Sequence, residues 1–220
     1  MESKYFKNIS ELKKYVENND ISDIIIELDA KFNNSIYNHI NIFKKIQYLY
    51  CCNTRITKIP KELVNLQKLY CAITTIKEIP KELVNLRVLV CLETQIIMIP
   101  KELVNLRTLD CSYTQVTEIP ISFVNLILLE CSKTQVKEIP KEFVNLQELY
   151  CSSTLIKEIP NNFVNLRILN CSRTLITEIP ISFVNLQNLD CSGSGITEIP
   201  KELVNLCVLH CSNTQVKEVI

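Results

Sequence analysis

Eleven cysteines and two histidines are the residues of greatest chemical capacity in this 220-residue chain. Nine of the cysteines fall at positions 51, 71, 91, 111, 131, 151, 171, 191 and 211, one every 20 residues, and only Cys52 and Cys207 stand elsewhere. So many thiols would ordinarily announce a disulfide framework or a metal centre. An odd, strictly periodic column suits neither. No CxxC pair occurs and the histidines are only His39 and His210, so no zinc ligand set assembles, and the sequence calls for no metal and no cofactor. Cysteines on stacked strands would lie about 4.8 Å apart, within bridging range, yet their side chains would run parallel and not converge. The column therefore reads as free, buried thiols acting as small hydrophobes in a reducing compartment, with Cys52 pointing outward.

Nucleophilic chemistry finds no support either. Serines at 112, 132, 152, 172, 192 and 212 form a column without a neighbouring base. His210 precedes Cys211, but successive residues of a strand face opposite ways, so the two cannot work as a pair. Gly193 and Gly195, the only glycines, are too few to cradle a phosphate and more simply relax one turn. No enzyme is predicted.

What places these residues is a repeat. The stretch Leu66 to Pro80, LQKLYCAITTIKEIP, returns every 20 residues to the end of the chain. Full units run from 46–65 to 186–205, eight in all, and a shortened ninth fills 206–220. Apolar positions are those of Leu66, Leu69, Cys71, Ile76, Ile79 and Leu83, with Thr74 between them and Pro80 closing the run. Leu69 and Cys71 alternate with Tyr70 and Ala72, the mark of a short strand with one buried face. Identical strands one unit apart stack in parallel, and the crossovers between them are right-handed. The segment IPKELVNL is too short and too interrupted by proline for a helix, which leaves an extended or 3₁₀ return.

Written as LxxLxCxxTxIxxIPxxL, the unit resembles the leucine-rich repeat, LxxLxLxxNxL, with cysteine at the third leucine and threonine at the asparagine. The match covers 46–220. The resemblance implies an α/β leucine-rich-repeat solenoid, a shallow horseshoe with a parallel concave sheet and a thin convex side, acting as a protein-binding module without activity of its own. In that family the asparagine bonds to adjacent turns as a ladder. Thr54, Thr74, Thr94, Thr114, Thr134, Thr154, Thr174 and Thr214, with Ser194, would make a thinner ladder, or would serve only as strand formers. The wording CSKTQVKEIPKEFVNL at 131–146 also looks like repeat proteins of giant DNA viruses of amoebae, which would imply a host cytoplasm.

Residues 1–45 break the period and are read as an N-terminal cap. Ser10 is placed to cap a helix bearing Leu12, Tyr15 and Val16 that ends near Asn18, Asn19 and Asp20 and covers the first rung. Ile24, Ile26 and Leu28 alternate as a strand, and Ile36, Ile40 and Phe43 have helical spacing. Leu28 precedes Cys51 by 23 residues, which makes an irregular opening turn.

Charge and hydropathy narrow the function classes. Basic and acidic residues balance at 24 each, leaving no footprint for nucleic acid or an anionic membrane. No apolar run approaches membrane length, and MESKYFKNIS is not a signal segment, so a soluble intracellular protein is expected.

Function is then sought in positions that differ between units. The outward strand columns hold Tyr48, Val88 and Glu148 in one row and Tyr50, Tyr70, Val90, Asp110, Glu130 and Tyr150 in the next. Tyr48, Tyr50, Tyr70, Ile73, Val88, Val90 and Leu92 would form an aromatic, apolar zone, and Asp110, Glu130 and Glu148 an acidic one, with Tyr113 beside it. Nine rungs make a face of roughly 600 Å², near the ~800 Å² per partner of an ordinary interface. A protein partner on the concave face is the leading expectation. Drift among duplicated units explains the same variation without a partner, and the glutamate row at 118, 138, 158, 178, 198 and 218 is read as a solvated face. The shortened ninth unit, ending Glu218, Val219, Ile220, is expected to leave an open edge, either frayed or paired with a second copy as a homodimer. A recognition subunit of an enzyme complex is the remaining alternative.

Overall fold

The computed structural model describes residues 2–20, 24–28 and 40–217. Its framework is one eleven-stranded parallel sheet whose strands neighbour one another in chain order. Strand β1 (Glu2–Phe6), helix α1 (Ile9–Asn18), β2 (Ile24–Leu28) and the short helix α2 (Ile40–Phe43) open the chain. Nine three-residue strands follow: β3 (Tyr48–Tyr50), β4 (Lys68–Tyr70), β5 (Val88–Val90), β6 (Thr108–Asp110), β7 (Leu128–Glu130), β8 (Glu148–Tyr150), β9 (Ile168–Asn170), β10 (Asn188–Asp190) and β11 (Val208–His210). From β3 onward each residue pairs with the one 20 positions later, as Leu49 with Leu69 and Leu69 with Leu89. Sheet and sequence repeat therefore share one period. At the start the offset is 23, Ile26 facing Leu49.

The interior is the set of columns the period implies. Leu69, Cys71, Ile76, Leu83 and Leu86 and their equivalents are fully buried through most of the array. Phe123, Phe143, Phe163 and Phe183 replace leucine in one column, and the first two share their units with the smaller Val116 and Val136, which offsets part of the added volume. From β3 to β11 the return paths hold no helix. Two tight turns per unit are closed by i to i+3 bonds, as where Leu83 N donates to Pro80 O at 3.2 Å and Leu86 N to Leu83 O at 3.0 Å.

The opening segment differs from its sequence reading in two ways. Asn8, not Ser10, caps α1: its Oδ1 accepts from Ser10 N and Glu11 N, both at 3.0 Å, and the Glu11 carboxylate accepts from Lys7 N at 3.0 Å. The helix begins a residue before Ser10, so Ser10 lies inside it. Upstream, β1 was not legible, since Glu2 to Phe6 carries no alternation; it pairs with β2 and buries Phe6, whose ring lies 5.4 Å from that of Tyr15. Helix α1 connects β1 to β2 and packs Leu12, Tyr15 and Val16 against the core. Of the helix expected over Ile36 to Phe43, Ile36 lies outside the described residues, as do His39, Glu218, Val219 and Ile220. No described helix is long and apolar enough to cross a membrane.

The threonine column does not build a ladder between turns. Each Thr Oγ1 donates within its own unit to the carbonyl three residues back, Thr134 to Cys131 O at 2.6 Å for example, and Ser194 does the same to Cys191 O. Beside backbone bonds between turns such as Gln95 N to Ile76 O at 3.0 Å, the side-chain ties come from asparagines of the return path. Asn85 Nδ2 donates to Val64 O at 2.8 Å, Asn145 to Val124 O at 3.1 Å and Asn205 to Val184 O at 2.7 Å, each 21 residues back.

Candidate functional site

Exposed positions vary on the solvent face of the sheet, and its two rows run across the strands at one residue per rung. Rung spacing is set by parallel pairing at about 4.8 Å, so residues in register touch. Tyr50 and Tyr70 do so, with ring centroids 5.7 Å apart at 33°. Val88 and Val90 lie on the next strand, half-buried, level with Lys68 and Tyr70. Tyr50 is 41% exposed. Its phenol is held above the usual value, chiefly by the Cys52 thiol beside it.

Tyr48 departs from its expected place in this zone. It is only 7% exposed, because Lys68 Nζ sits 5.5 Å over its ring and β2 flanks it on the other side. It supports Tyr50 and offers little surface itself. Cys52 departs likewise: it is half-buried, and burial pushes its thiol up, so it is not the outward, reactive cysteine.

Beyond Val90 the face becomes acidic. Asp110 stands opposite Glu130, and Glu130 opposite Tyr150. Tyr150 donates its hydroxyl to Glu148 Oε2 at 3.2 Å. Burial raises the Asp110 carboxyl, although its bond from Ser112 N at 3.0 Å opposes the shift. Burial raises Glu130 as well, followed by repulsion from Asp110 and Glu148, and raises Tyr150, with Glu148 adding to it.

Ile73 and Tyr113 lie at the bend after the strand, and here the structure shows what the sequence did not. The column at 53, 73, 93 and onward is left-handed throughout, with φ of 55° at Ile73, 56° at Tyr113 and 69° at Gly193. Asparagine and glycine suit that region, but a β-branched isoleucine is strained there. Ile73 is nonetheless 52% exposed and Tyr113 49% exposed, the latter with Lys133 Nζ 4.4 Å over its ring. The column's Asn53, Gly193 and Asn213 were the available signal.

The cysteine column is buried from Cys51 to Cys191 and its thiols are free. His210 is exposed while Cys211 is half-buried. Among the described residues no group of three or more His, Cys, Asp or Glu is arranged to hold a metal ion.

A second surface was missed altogether. On the return path, between the bend after the strand and the Leu63 turn, a groove of about 2210 Å³ runs from Lys58 to Ser182. Its floor is the Ile59 and Pro60 columns and its walls are positions 58, 61 and 62 of each unit. The glutamates read as a solvated face form one of those walls.

No protein-family model matches the sequence, and no curated protein matches it. Solved structures do. Internalin InlF of Listeria monocytogenes superposes with a TM-score of 0.77 at 18% identity, over 97% of this chain and 73% of that one. A leucine-rich-repeat protein of Leptospira interrogans matches at 0.55 and 19%, over 98% and 84%. The ectodomain of the Arabidopsis thaliana receptor kinase GASSHO1/SCHENGEN3, solved in complex with Casparian strip integrity factor 2, matches at 0.72 and 24%, over 88% of this chain but only 27% of its own length. At these identities the likeness is one of architecture, and the chain has the leucine-rich-repeat fold.

Proposed function

We propose that the protein is a non-catalytic protein-binding module that grips its partner on the solvent face of the sheet. The observation that carries this reading is the Tyr50–Tyr70 ring pair, set beside Val88 and Val90 on an open face. Tyrosine brings large contact area with few rotors and a polar tip, the character of an interface anchor. Asp110, Glu130, Tyr150 and Tyr113 extend the patch toward a basic region of the same partner. Structures of the same fold support the assignment, the receptor ectodomain above being solved with a bound factor. Free buried thiols support a reducing compartment, and the wording of the repeats supports a viral protein acting in a host cytoplasm.

The test is capture from the native cell with variant baits. Replacing Tyr50, Tyr70 and Val90 with serine should abolish capture of the partner while leaving the melting temperature nearly unchanged, because these side chains lie outside the core. Replacing the exposed Gln95 and Gln135, beyond the bend, should change neither. Equal loss from both sets rejects a site on the sheet.

Self-association is the second reading, and it has its own observation. Among the described residues β11 pairs on one side only, and Leu206 and Leu209 are half-covered where their equivalents Leu186 and Leu189 are 0% and 1% exposed. A two-fold dimer would join two such strands antiparallel. Light scattering that gives a monomer at tens of micromolar rejects it.

A further inference from the structure

The groove on the return path is not used by the sheet-face reading, and its two halves differ in charge. From Lys58 to Glu102, four lysines (58, 61, 81, 101) balance four glutamates (62, 78, 82, 102). From Glu118 to Ser182, the lysine positions carry Ile121, Asn161 and Ile181, and Lys141 is the one lysine that lines the groove with Glu118, Glu138, Glu142, Glu158 and Glu178, Lys137 and Lys157 standing exposed just outside it. Register sets the wall carboxylates about one rung, ~4.8 Å, apart. Among the described residues none of Glu118, Glu138, Glu158 and Glu178 makes an ion pair. The floor between the walls is apolar. Ile119, Ile139, Ile159 and Ile179 are nearly buried beneath it, whereas Ile121 and Ile181 stand 61% and 66% exposed at its rim. Met98 at 62% marks the junction with the balanced half.

We infer that this groove is a docking site for an extended, lysine- or arginine-rich peptide segment of a protein partner, lying along the Ile-Pro floor with its cations against the glutamate wall. Charge selects this occupant. A neutral apolar segment would bury the floor but leave a row of like charges facing one another, and an acidic one would be repelled. A basic segment satisfies both surfaces, its aliphatic stems on the isoleucines and its charges on the carboxylates. The glutamate wall from Glu118 to Glu178 spans three rung steps, about 14 Å, which about four residues of an extended chain cover at ~3.3 Å each, and the whole groove of six steps, about 29 Å, takes about nine.

The probe is a fluorescent nine-residue peptide alternating lysine with valine, titrated against the full chain by anisotropy. Binding should weaken steeply as salt rises, because exposed charges are screened. Glu118, Glu138, Glu158 and Glu178 changed together to Gln should weaken it at least about tenfold, the combined effect of four weak exposed pairs. Ile121→Ser with Ile181→Ser should weaken it while leaving the salt dependence intact. A glutamate-for-lysine peptide should not bind. Equal affinity for the wild type and the four-glutamine variant overturns the proposal. So does a larger loss from neutralising Glu130 and Glu148 on the sheet, which would place the cations there. Calcium that displaces the peptide at equimolar amounts, or a dimer that the Ile121 and Ile181 changes dissolve, would assign the groove to those occupants instead. The groove side chains changed here are exposed, whereas Glu130 and Glu148 are half-buried, and a melting temperature within about 2 °C of wild type shows that each variant is folded.

Discussion

Asp110 faces Glu130 in register across β6 and β7, two carboxylates on one side of a parallel sheet. Burial raises both, and the charge of each neighbour adds to Glu130. The folded chain thus holds these protons more tightly than the unfolded one. Below the ordinary carboxylate range both states are protonated and the pair is harmless. Stability falls as pH rises through the raised values, because the folded state must then ionise two adjacent groups. Asp110→Asn should therefore stabilise the protein at neutral pH by about 0.2–1 kcal/mol and have no such effect near pH 3. Asn170 shows that asparagine fits, since its Oδ1 accepts from Ser172 N at 3.1 Å as Asp110 does from Ser112 N. Urea unfolding at both pH values measures it, and a gain of equal size at each would reject the electrostatic cause.

Ile73 should be a site where stability and recognition oppose each other. Its φ of 55° costs an L residue about 1–2 kcal/mol, and half of its surface is exposed, so little packing repays that cost. Ile73→Asn should raise stability by about 1 kcal/mol and weaken capture of the partner. Lower stability by thermal unfolding would mean that contacts of the isoleucine outweigh the backbone strain.

These two sites show how far the sequence could be read. Leu69, Cys71 and Ile76 announced strand, register and core because a 20-residue period leaves one way to stack them. Thr74 was harder. Its place in the family pattern suggested bonds between turns, but its hydroxyl reaches only Cys71 O, and the side-chain bonds between turns come from Asn85 and its equivalents. The recurrent Val-Asn pair carried that signal, without a period-based reason to expect a bond to the carbonyl one residue beyond the repeat. Tyr48 alternates correctly yet is covered, since alternation gives the face of a side chain and not what Lys68 lays over it. The groove was least legible, because a row of glutamates looks like a solvated edge until an apolar floor is seen beside it.

Those two hydrogen-bond columns should differ in weight. Thr134 is 2% exposed and its hydroxyl donates to Cys131 O at 2.6 Å. Thr134→Val would leave that acceptor without its donor in a dry interior, a loss of about 1–3 kcal/mol. Asn145 donates to Val124 O at 3.1 Å on an exposed side, where water can replace it. Asn145→Ala should lose less than about 1 kcal/mol. Denaturant midpoints order the two, and a reversed order would mean that the asparagine bonds between turns weigh more than the threonine bonds within a unit.

The cysteines should report the architecture directly. Only thiolate reacts with an exchange reagent, so both access and ionisation decide the rate. Cys51, Cys71, Cys91, Cys111, Cys131, Cys151, Cys171 and Cys191 are buried, and burial lifts their thiols above the ordinary value, with the next thiol of the column adding to it. Cys191 is pushed up to about 11. At about pH 8 these groups are both shielded and protonated. Cys207 is exposed, whereas Cys52 and Cys211 are half-buried. One equivalent should therefore label quickly and disappear in Cys207→Ser. Cys52 and Cys211 should follow slowly, and the buried eight should wait for unfolding. Adding denaturant should merge the phases near the midpoint seen by circular dichroism, since in a stacked array a rung opens only when its neighbours release it. Rapid reaction of most thiols in the native protein would mean that the column does not line the interior.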